Sequence, residues 1–212
     1  MFCKTIRIKC ITPNAVKRNA LFLTMRRARK CANYIVQEAF DKKLLNATAI
    51  NNATYQNCTR YNLPTGLVQT ARNKVVEALQ TWKTTGMVNP LPHWDNIPAM
   101  RLDARTFVVK TNQNNPNQYV AGITTASGKV YLPVIGVVKP EWLTAKSADL
   151  VWSHQHQTFF LHLHVKREVP KVDIKTIKHV LGFDLNFGRI VCTVKDLSGR
   201  ILASRFFQLG RL

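Results

Sequence analysis

The stretch Thr158–Glu168, TFFLHLHVKRE, alternates apolar and polar side chains. Successive side chains of a β-strand point to opposite faces of its sheet. One face therefore carries the apolar set Phe159, Leu161, Leu163 and Val165. The other face carries Phe160, His162, His164 and Lys166. The pattern predicts a strand with one buried side and one polar, cationic side.

Shorter runs of the same texture precede this strand from Arg105 onward, separated by Asn, Gly, Pro and Ser signals. They read TFVVK, QYVAGITTA, KVYLPVIGVV and DLVWS. Lys4–Ile11 also alternates, and its outer face carries Arg7 and Lys9. A lone strand is unstable by itself, so we expect it to join the later strands. Together they predict a β-meander or small barrel.

Residues 12–104 have a helical texture instead. Thr12-Pro13-Asn14 is a typical helix start, and apolar residues then recur every three or four positions from Leu21 to Ala39. A second clear helix starts at Leu63-Pro64-Thr65 and ends by Gly86, and a connection rich in proline follows. We therefore expect a helical insertion into the β-region, giving an α+β fold.

The charge balance indicates the class of partner. Thirty-one Lys and Arg residues stand against eleven Asp and Glu, which gives a net charge of +20. Such an excess favours a polyanion, and nucleic acid is the natural candidate. The alternative for the first helix is an ordinary solvated face.

The candidate nucleic-acid-binding residues are grouped by element. The first strand offers Arg7 and Lys9. The first helix offers Lys17, Arg18, Arg26, Arg27, Arg29 and Lys30, and the second offers Arg72 and Lys74. The polar face of the strand quoted above offers Phe160, His162, His164 and Lys166, since rings can stack on bases and Lys can meet phosphate. The two HxH pairs of that region also raise a metal site as the weaker alternative.

Other classes find little support in the sequence. The five cysteines form no CxxC pair, so we expect reduced packing residues and no zinc site in this chain. There is no P-loop or GxGxxG sequence. The N-terminus lacks the pattern of a secretory signal and no apolar run is long enough for a membrane helix, so we expect a cytoplasmic protein.

Val180–Asn186, VLGFDLN, places one carboxylate, Asp184, in a short apolar strand. An ionised Asp buried there would need a cation or strong donors, whereas a solvated acid at a strand end would not. If Phe187-Gly188 forms a tight turn, Asp184 lies opposite Val191. Asp196 is then roughly 16 Å away, on the other face of the sheet, and cannot share a metal with Asp184.

The order of these parts resembles the TnpB family of transposon-encoded, RNA-guided DNA endonucleases, also called OrfB transposase-like proteins, which are related to type V CRISPR effectors. The resemblance rests on TIRIKC, the helices from Pro13, the Leu63-Pro64-Thr65 helix start, the segment Leu91–Trp94 with Arg101, the following strands and Gly182-Phe183-Asp184-Leu185-Asn186. It departs from the family at Pro92-His93-Trp94-Asp95, where the family commonly has a basic Pro-Arg-Phe-Lys-like run. Any contact made by those basic residues is therefore in doubt here.

The resemblance implies a wedge β-barrel of the oligonucleotide-binding type, formed by residues 1–11 and 105–170. A helical recognition insert would span 12–104, and 171–212 would begin an RNase H-like (RuvC) nuclease domain. Asp184 would be the first catalytic carboxylate and would hold Mg²⁺ in a complete site. Guide RNA and target DNA would be the partners. The family's later Glu, Asp and Cys-rich zinc element are not in this sequence.

Three functional readings stay open at this point. The chain could be the N-terminal part of such an endonuclease, able to bind RNA or DNA but not to cleave alone. It could be an RNA-guided or simple nucleic-acid-binding regulator that has lost the nuclease. A transcription factor or basic protein of ribosomal type would explain the charge but not the GFDLN strand. Coding sequence beyond Leu212 would separate the first two readings.

Overall fold

A computed structural model describes residues 2–113, 115–167, 177–186 and 189–208. The contacts divide the chain into two units, Met1–Arg167 and Glu168–Leu212. The helices of the first unit are α1 (Ala15–Asp41), α2 (Ala47–Cys58) and α3 (Thr65–Thr84), with 3-10 turns at Thr59–Tyr61 and Pro140–Thr144. Its strands are β1 (Phe2–Cys10), β2 (Met100–Asp103), β3 (Phe107–Asn112), β4 (Asn115–Thr125), β5 (Gly128–Ile135), β6 (Ser147–Ser153) and β7 (Thr158–Arg167). The second unit contains β8 (His179–Asn186), β9 (Arg189–Asp196) and β10 (Ile201–Gln208).

The seven strands of the first unit form one antiparallel sheet in the order β2-β6-β7-β1-β5-β4-β3. As predicted, β1 joins the later strands, pairing with β7 along its length and with β5 at Lys9 and Cys10. The α+β class is confirmed. The sheet is not a closed barrel, because its order ends at β2 and β3 and no pairing joins these two strands within 2–113 and 115–167.

The two faces of β7 follow the alternation read from the sequence. Phe159, Leu161, Leu163 and Val165 are buried in the sheet core. His162 and His164 are half-buried and Lys166 is exposed on the other face. Phe160 departs from this pattern, since only 6% of it is exposed.

Helix α1 connects the two cores of the first unit. Asn14 caps it, since its Oδ1 accepts a hydrogen bond of 3.0 Å from the Lys17 backbone N–H. Near its start Leu21 and Met25 pack into the sheet core, while Ile35 and Ala39 pack into a second core with α2 and α3. The predicted apolar face of this helix is therefore confirmed.

One boundary of the helical insertion was wrong. Met100–Asp103 was assigned to the insertion, whereas the structure places it in the sheet as β2, paired with β6. Met100 and Leu102 are buried and Arg101 lies between them, so this is a half-buried strand. Met100-Arg101-Leu102-Asp103 does alternate, but four residues are the shortest run that gives a period-2 signal.

The second unit is a three-stranded antiparallel sheet in the order β10-β9-β8. Asp184 pairs with Val191, which confirms the predicted register. Because residues directly opposite share a face, Phe183 lies with Cys192, and Leu185 with Ile190 and Phe207. These side chains form an apolar face, and Phe183 and Leu185 are 64% and 75% exposed.

Two further expectations concern cysteine and membranes. All five cysteines are free, and Cys10, Cys31 and Cys58 are buried, as expected for packing residues. In the described part of the chain, no helix combines the length and the apolar character needed to cross a membrane.

Candidate nucleic-acid interface

Three of the predicted cations on α1 are engaged by the fold. Lys17 donates its Nζ–H to the Tyr131 carbonyl at 3.1 Å, and Arg27 donates to the Asn62 carbonyl at 3.2 Å. Arg29 donates to the carbonyl of Asp95. These side chains tie α1 to β5, to the turn before α3 and to the proline-rich connection. Their charges are only partly available to a ligand.

The other three cations of α1 face solvent. Arg18, Arg26 and Lys30 are exposed, and none of their side chains makes a hydrogen bond or ion pair with the described residues. At 100° and 1.5 Å per residue they lie within about 120° of the helix circumference and span roughly 18 Å along its axis. Three unpaired cations on one side of a rigid helix are suited to contact successive phosphates.

Arg72 and Lys74 of α3 have a structural role that the sequence did not reveal. Burial lowers the pKa of each. Arg72 donates to the side-chain oxygen of Asn51, and Lys74 donates to the Ala99 carbonyl at 2.7 Å. A desolvated cation that is already bonded within the fold is poorly placed to meet a phosphate.

The polar face of β7 is likewise built into the sheet. The guanidinium of Arg7 lies 3.8 Å from the centroid of the Phe160 ring, and the His156 ring lies 5.6 Å from it on an edge. A base could stack on Phe160 only if Arg7 moved away. Lys9 and Lys166 remain exposed beside this cluster.

An ion network crosses the same face. Asp149 of β6 accepts from Nε of Arg101 at 3.0 Å and lies 3.3 Å from Nε2 of His164. His164 also contacts the Ser147 hydroxyl at 3.2 Å, so its two ring nitrogens are both engaged. The predicted role of His164 in nucleic-acid binding must therefore compete with these contacts.

His162 gives the protein a pH dependence below neutrality. Burial, and then the charge of Arg7, lower the pKa of His162 from its ordinary value of about 6.5. The unfolded chain then binds this proton at a pH where the folded chain does not. The free energy of unfolding should fall as the pH drops below about 6.5, and His162→Gln should reduce that slope by at most about 1.4 kcal/mol per pH unit.

Denaturant unfolding at a series of pH values between about 5 and 7.5 measures this slope. His154→Gln, which replaces an exposed histidine in the turn between β6 and β7, is the matched control. An unchanged slope in His162→Gln would show that His162 is not the residue that titrates.

Asp184 is exposed on the second unit's sheet. Of the two readings that the sequence left open, the structure therefore has the solvated one. Phe183 and Leu185, on the other face of the strand, are exposed as well, so the apolar sequence around Asp184 does not bury it. Its cross-strand neighbours are Val191 and, beyond it, Phe206. Burial therefore does not require a cation at Asp184, and a metal there stays a prediction.

Asp196 serves the turn between β9 and β10. Its Oδ1 accepts from the Ser198 hydroxyl at 2.6 Å and from the backbone N–H groups of Ser198 and Arg200. The hydroxyl and then the backbone donors hold the pKa of Asp196 below its ordinary value. These bonds are those of an Asx-type turn. Within the described ranges, no three His, Cys, Asp or Glu side chains come together as a metal-binding group.

A groove that the sequence did not predict lies beside Lys30. It has a volume of about 600 Å³, and its lining includes Arg29, Lys30, Asn33, Tyr34, Gln37, Tyr61, His93, Trp94 and Asp95. Tyr34 and Trp94 pack only partly against the helical core. Sequence reasoning missed that His93-Trp94 lies next to the cations of α1, which come about sixty positions earlier in the chain.

The walls of this groove are held in place by hydrogen bonds. The Asn33 side chain donates to the Trp94 carbonyl at 3.0 Å and accepts from the Trp94 backbone N–H at 3.1 Å. Asn57 donates to the Tyr34 hydroxyl at 2.9 Å, and Arg60 donates to that of Tyr61 at 3.2 Å. Arg60 also lies over the Tyr34 ring, 4.3 Å from its centroid.

Comparison with known proteins gives no family assignment. No protein-family model matches the chain, and no curated protein shows significant similarity to it. The functional argument therefore depends on the residues and their geometry.

Proposed function

We propose that this protein binds nucleic acid and is the N-terminal part of an RNA-guided, Mg²⁺-dependent DNA endonuclease of the TnpB type, associated with a transposon. The observation that carries the binding function is the net charge of +20 together with three exposed, unpaired cations on one side of α1. A surface of this kind attracts phosphates and releases their counterions.

The finer architecture belongs to the same proposal. The seven-stranded sheet corresponds to the wedge, α1 to α3 to the recognition insert, and β8 to β10 to the first strands of an RNase H-like domain. Two features of the second unit support this assignment. Its strands are antiparallel neighbours in chain order with a carboxylate in the first. Its apolar face is exposed, and such a face is normally covered by a further layer.

The carboxylates of the described chain do not form a complete site for a catalytic metal pair. Two-metal cleavage needs clustered carboxylates around ions about 3.5–4 Å apart. Asp184 has apolar cross-strand neighbours, and Asp196 is committed to its turn. We therefore propose that this chain binds RNA and DNA without cleaving DNA alone, and that Asp184 would be one ligand of a site completed by other carboxylates.

In such a protein the guide RNA supplies sequence specificity by base pairing, and the protein holds the backbone and shape of the duplex. Arg18, Arg26 and Lys30 are the residues that we propose for the backbone contacts. The second candidate function, a nucleic-acid-binding regulator without nuclease activity, is favoured by the described strands of the second unit, in which Asp184 is the one carboxylate on its face of the sheet. Both candidates require the same α1 surface.

Replacing the three exposed cations tests this surface. In the variant Arg18→Gln/Arg26→Gln/Lys30→Gln, we expect the affinity for RNA and DNA to fall about 100- to 500-fold at 0.1 M salt, about 5- to 8-fold for each lost phosphate contact. The slope of log affinity against log salt should become shallower by about 2–3. Fluorescence anisotropy titrations at several salt concentrations measure both quantities.

A control variant removes the same charge elsewhere. Lys129→Gln/Lys139→Gln/Lys146→Gln replaces three exposed lysines of the sheet region and its loops. It should retain most of the affinity and slope. Equal losses in the two variants would mean that net charge, and not the α1 surface, attracts the ligand, and unchanged binding in the α1 variant would refute the assignment.

A further inference from the structure

We infer that the groove beside Lys30 binds an unpaired nucleotide of single-stranded nucleic acid. Its aromatic side chains would contact the base, and Lys30 would contact the adjacent phosphate. This inference rests on the proposed nucleic-acid-binding function and adds a site to it. This site differs from the cation surface of α1, which would contact the phosphate backbone, because the groove would contact the face of a base.

The composition of the groove fits a nucleotide. Three chain segments supply rings to one cavity: Tyr34 from α1, Tyr61 from the 3-10 turn and His93-Trp94 from the proline-rich connection. Aromatic rings stack on the faces of bases, and every base has such a face. The volume of about 600 Å³ lies in the range of pockets that hold small organic ligands.

The polar groups of the groove match the rest of a nucleotide. The Lys30 side chain is exposed and makes no hydrogen bond or ion pair with the described residues, so its ammonium is available to a phosphate. Gln37 and Asp95 are exposed lining residues. The Gln37 amide N–H donates to Asp41 at 2.8 Å and Asp95 Oδ1 lies 3.5 Å from His93 Nε2, so the Gln37 side-chain carbonyl and the second carboxylate oxygen of Asp95 are the groups suited to a base edge.

The groove can accept an unpaired base but not a base stacked within a duplex. In a duplex the faces of a base are covered by its stacked neighbours, and only its edges reach the grooves. Arg60 lies over one side of the Tyr34 and Tyr61 rings, 4.3 and 5.2 Å from their centroids, but both residues are half-buried, unlike Phe160, and keep exposed ring surface. A base can reach that surface only when it is unstacked, as in a single strand or loop. The hydrogen bonds of Asn33, Asn57 and Arg60 already hold the walls of the groove, so little ordering is needed on binding.

Tyr61→Leu tests the stacking contact, because leucine keeps apolar packing and charge but removes the ring. We expect the affinity for a single strand of about 12 nucleotides to fall about 5- to 150-fold and duplex affinity to change less than about twofold, with the salt slope unchanged. Tyr61→Phe keeps the ring but loses the hydrogen bond from Arg60, so its affinity should lie closer to that of the parent protein than to that of Tyr61→Leu. Tyr55→Leu, which removes an exposed tyrosine of α2 outside the groove, is the matched control. The same measurement on single-stranded RNA and on single-stranded DNA shows which sugar is preferred.

A second measurement requires no substitution. Single-stranded RNA that carries 4-thiouridine, and DNA that carries 4-thiothymidine, should crosslink on irradiation to Tyr34, Tyr61, His93 or Trp94 of the full chain. Peptide mapping by mass spectrometry identifies the site. Crosslinks found only elsewhere would overturn the inference even if Tyr61→Leu failed to fold.

The outcomes separate this inference from the proposed function. If Tyr61→Leu binds single strands with the affinity and salt dependence of the parent protein, the groove is not the nucleotide site. The proposed role of the α1 surface would then be retained. Equal weakening of single-strand and duplex binding in folded Tyr61→Leu would also overturn it. Absence of binding to any RNA or DNA would overturn both proposals.

Discussion

Phe159→Ala should lower the free energy of unfolding by about 3–5 kcal/mol, the usual cost of truncating a large core aromatic. Phe159 is 0% exposed at the centre of the sheet core. Its ring centroid lies 4.8 Å from that of Trp152 and 5.4 Å from that of Phe22 on α1. The substitution therefore leaves a cavity and also weakens the attachment of α1 to the sheet.

Tryptophan fluorescence during denaturant unfolding measures this loss, because all four tryptophans precede residue 167 and so report on the first unit. Phe40→Ala is the matched control, since Phe40 is 49% exposed and its main aromatic contact is with Trp82. We expect it to cost less than about 1.5 kcal/mol. Similar losses in both variants would contradict the central position of Phe159.

Removing Asp149 should produce the second large effect. Asp149 accepts from Arg101 at 3.0 Å, and both side chains are mostly buried. Burial acts to lower the pKa of Arg101, but Asp149 and Glu77 outweigh it, so the pKa lies above its ordinary value. Asp149→Asn should lower the free energy of unfolding by about 1.5–3 kcal/mol, the range for hydrogen bonds to charged groups.

A double-mutant cycle isolates the pair. Asp149→Leu and Arg101→Met should each destabilise the protein, and the double variant should lose less than the sum, with a coupling of about 0.5–3 kcal/mol. The ion pair of Glu38 and Lys42 on α1 is the control, because it is more exposed and should couple by less than about 1 kcal/mol. A coupling near zero for Asp149 and Arg101 would show that the pair does not stabilise the sheet.

The availability of the α1 cations to a ligand could not be predicted from the sequence. The sequence identified all six cations of the first helix, but not which of them are available to a ligand. Lys17, Arg27 and Arg29 find carbonyl acceptors 114, 35 and 66 residues away. Such distant acceptors leave no periodic trace in the sequence. Arg72 and Lys74 likewise bond to acceptors 21 and 25 residues away, and their predicted contact with nucleic acid stays a prediction.

The aromatic groove could not be predicted from the sequence for a similar reason. Tyr34, Tyr61 and Trp94 lie in three separate segments, and each looks locally like a packing residue. The Asn33 side chain, bonded to both backbone groups of Trp94, and Arg29, bonded to the Asp95 carbonyl, hold the connection against α1 and so form the groove.

The sequence by itself determined the α+β class, the amphipathic helices, the two faces of the quoted strand and the register that places Asp184 opposite Val191. These features depend on local periodicity, which repeats every 2 or 3.6 residues and can be read from a single chain. The tertiary structure alone decided the open order of the seven strands, the engagement of half the α1 cations, the cover of Arg7 over Phe160 and the exposure of Asp184. Those depend on contacts between distant segments, whose free energies are set by burial and by the acceptors available after folding.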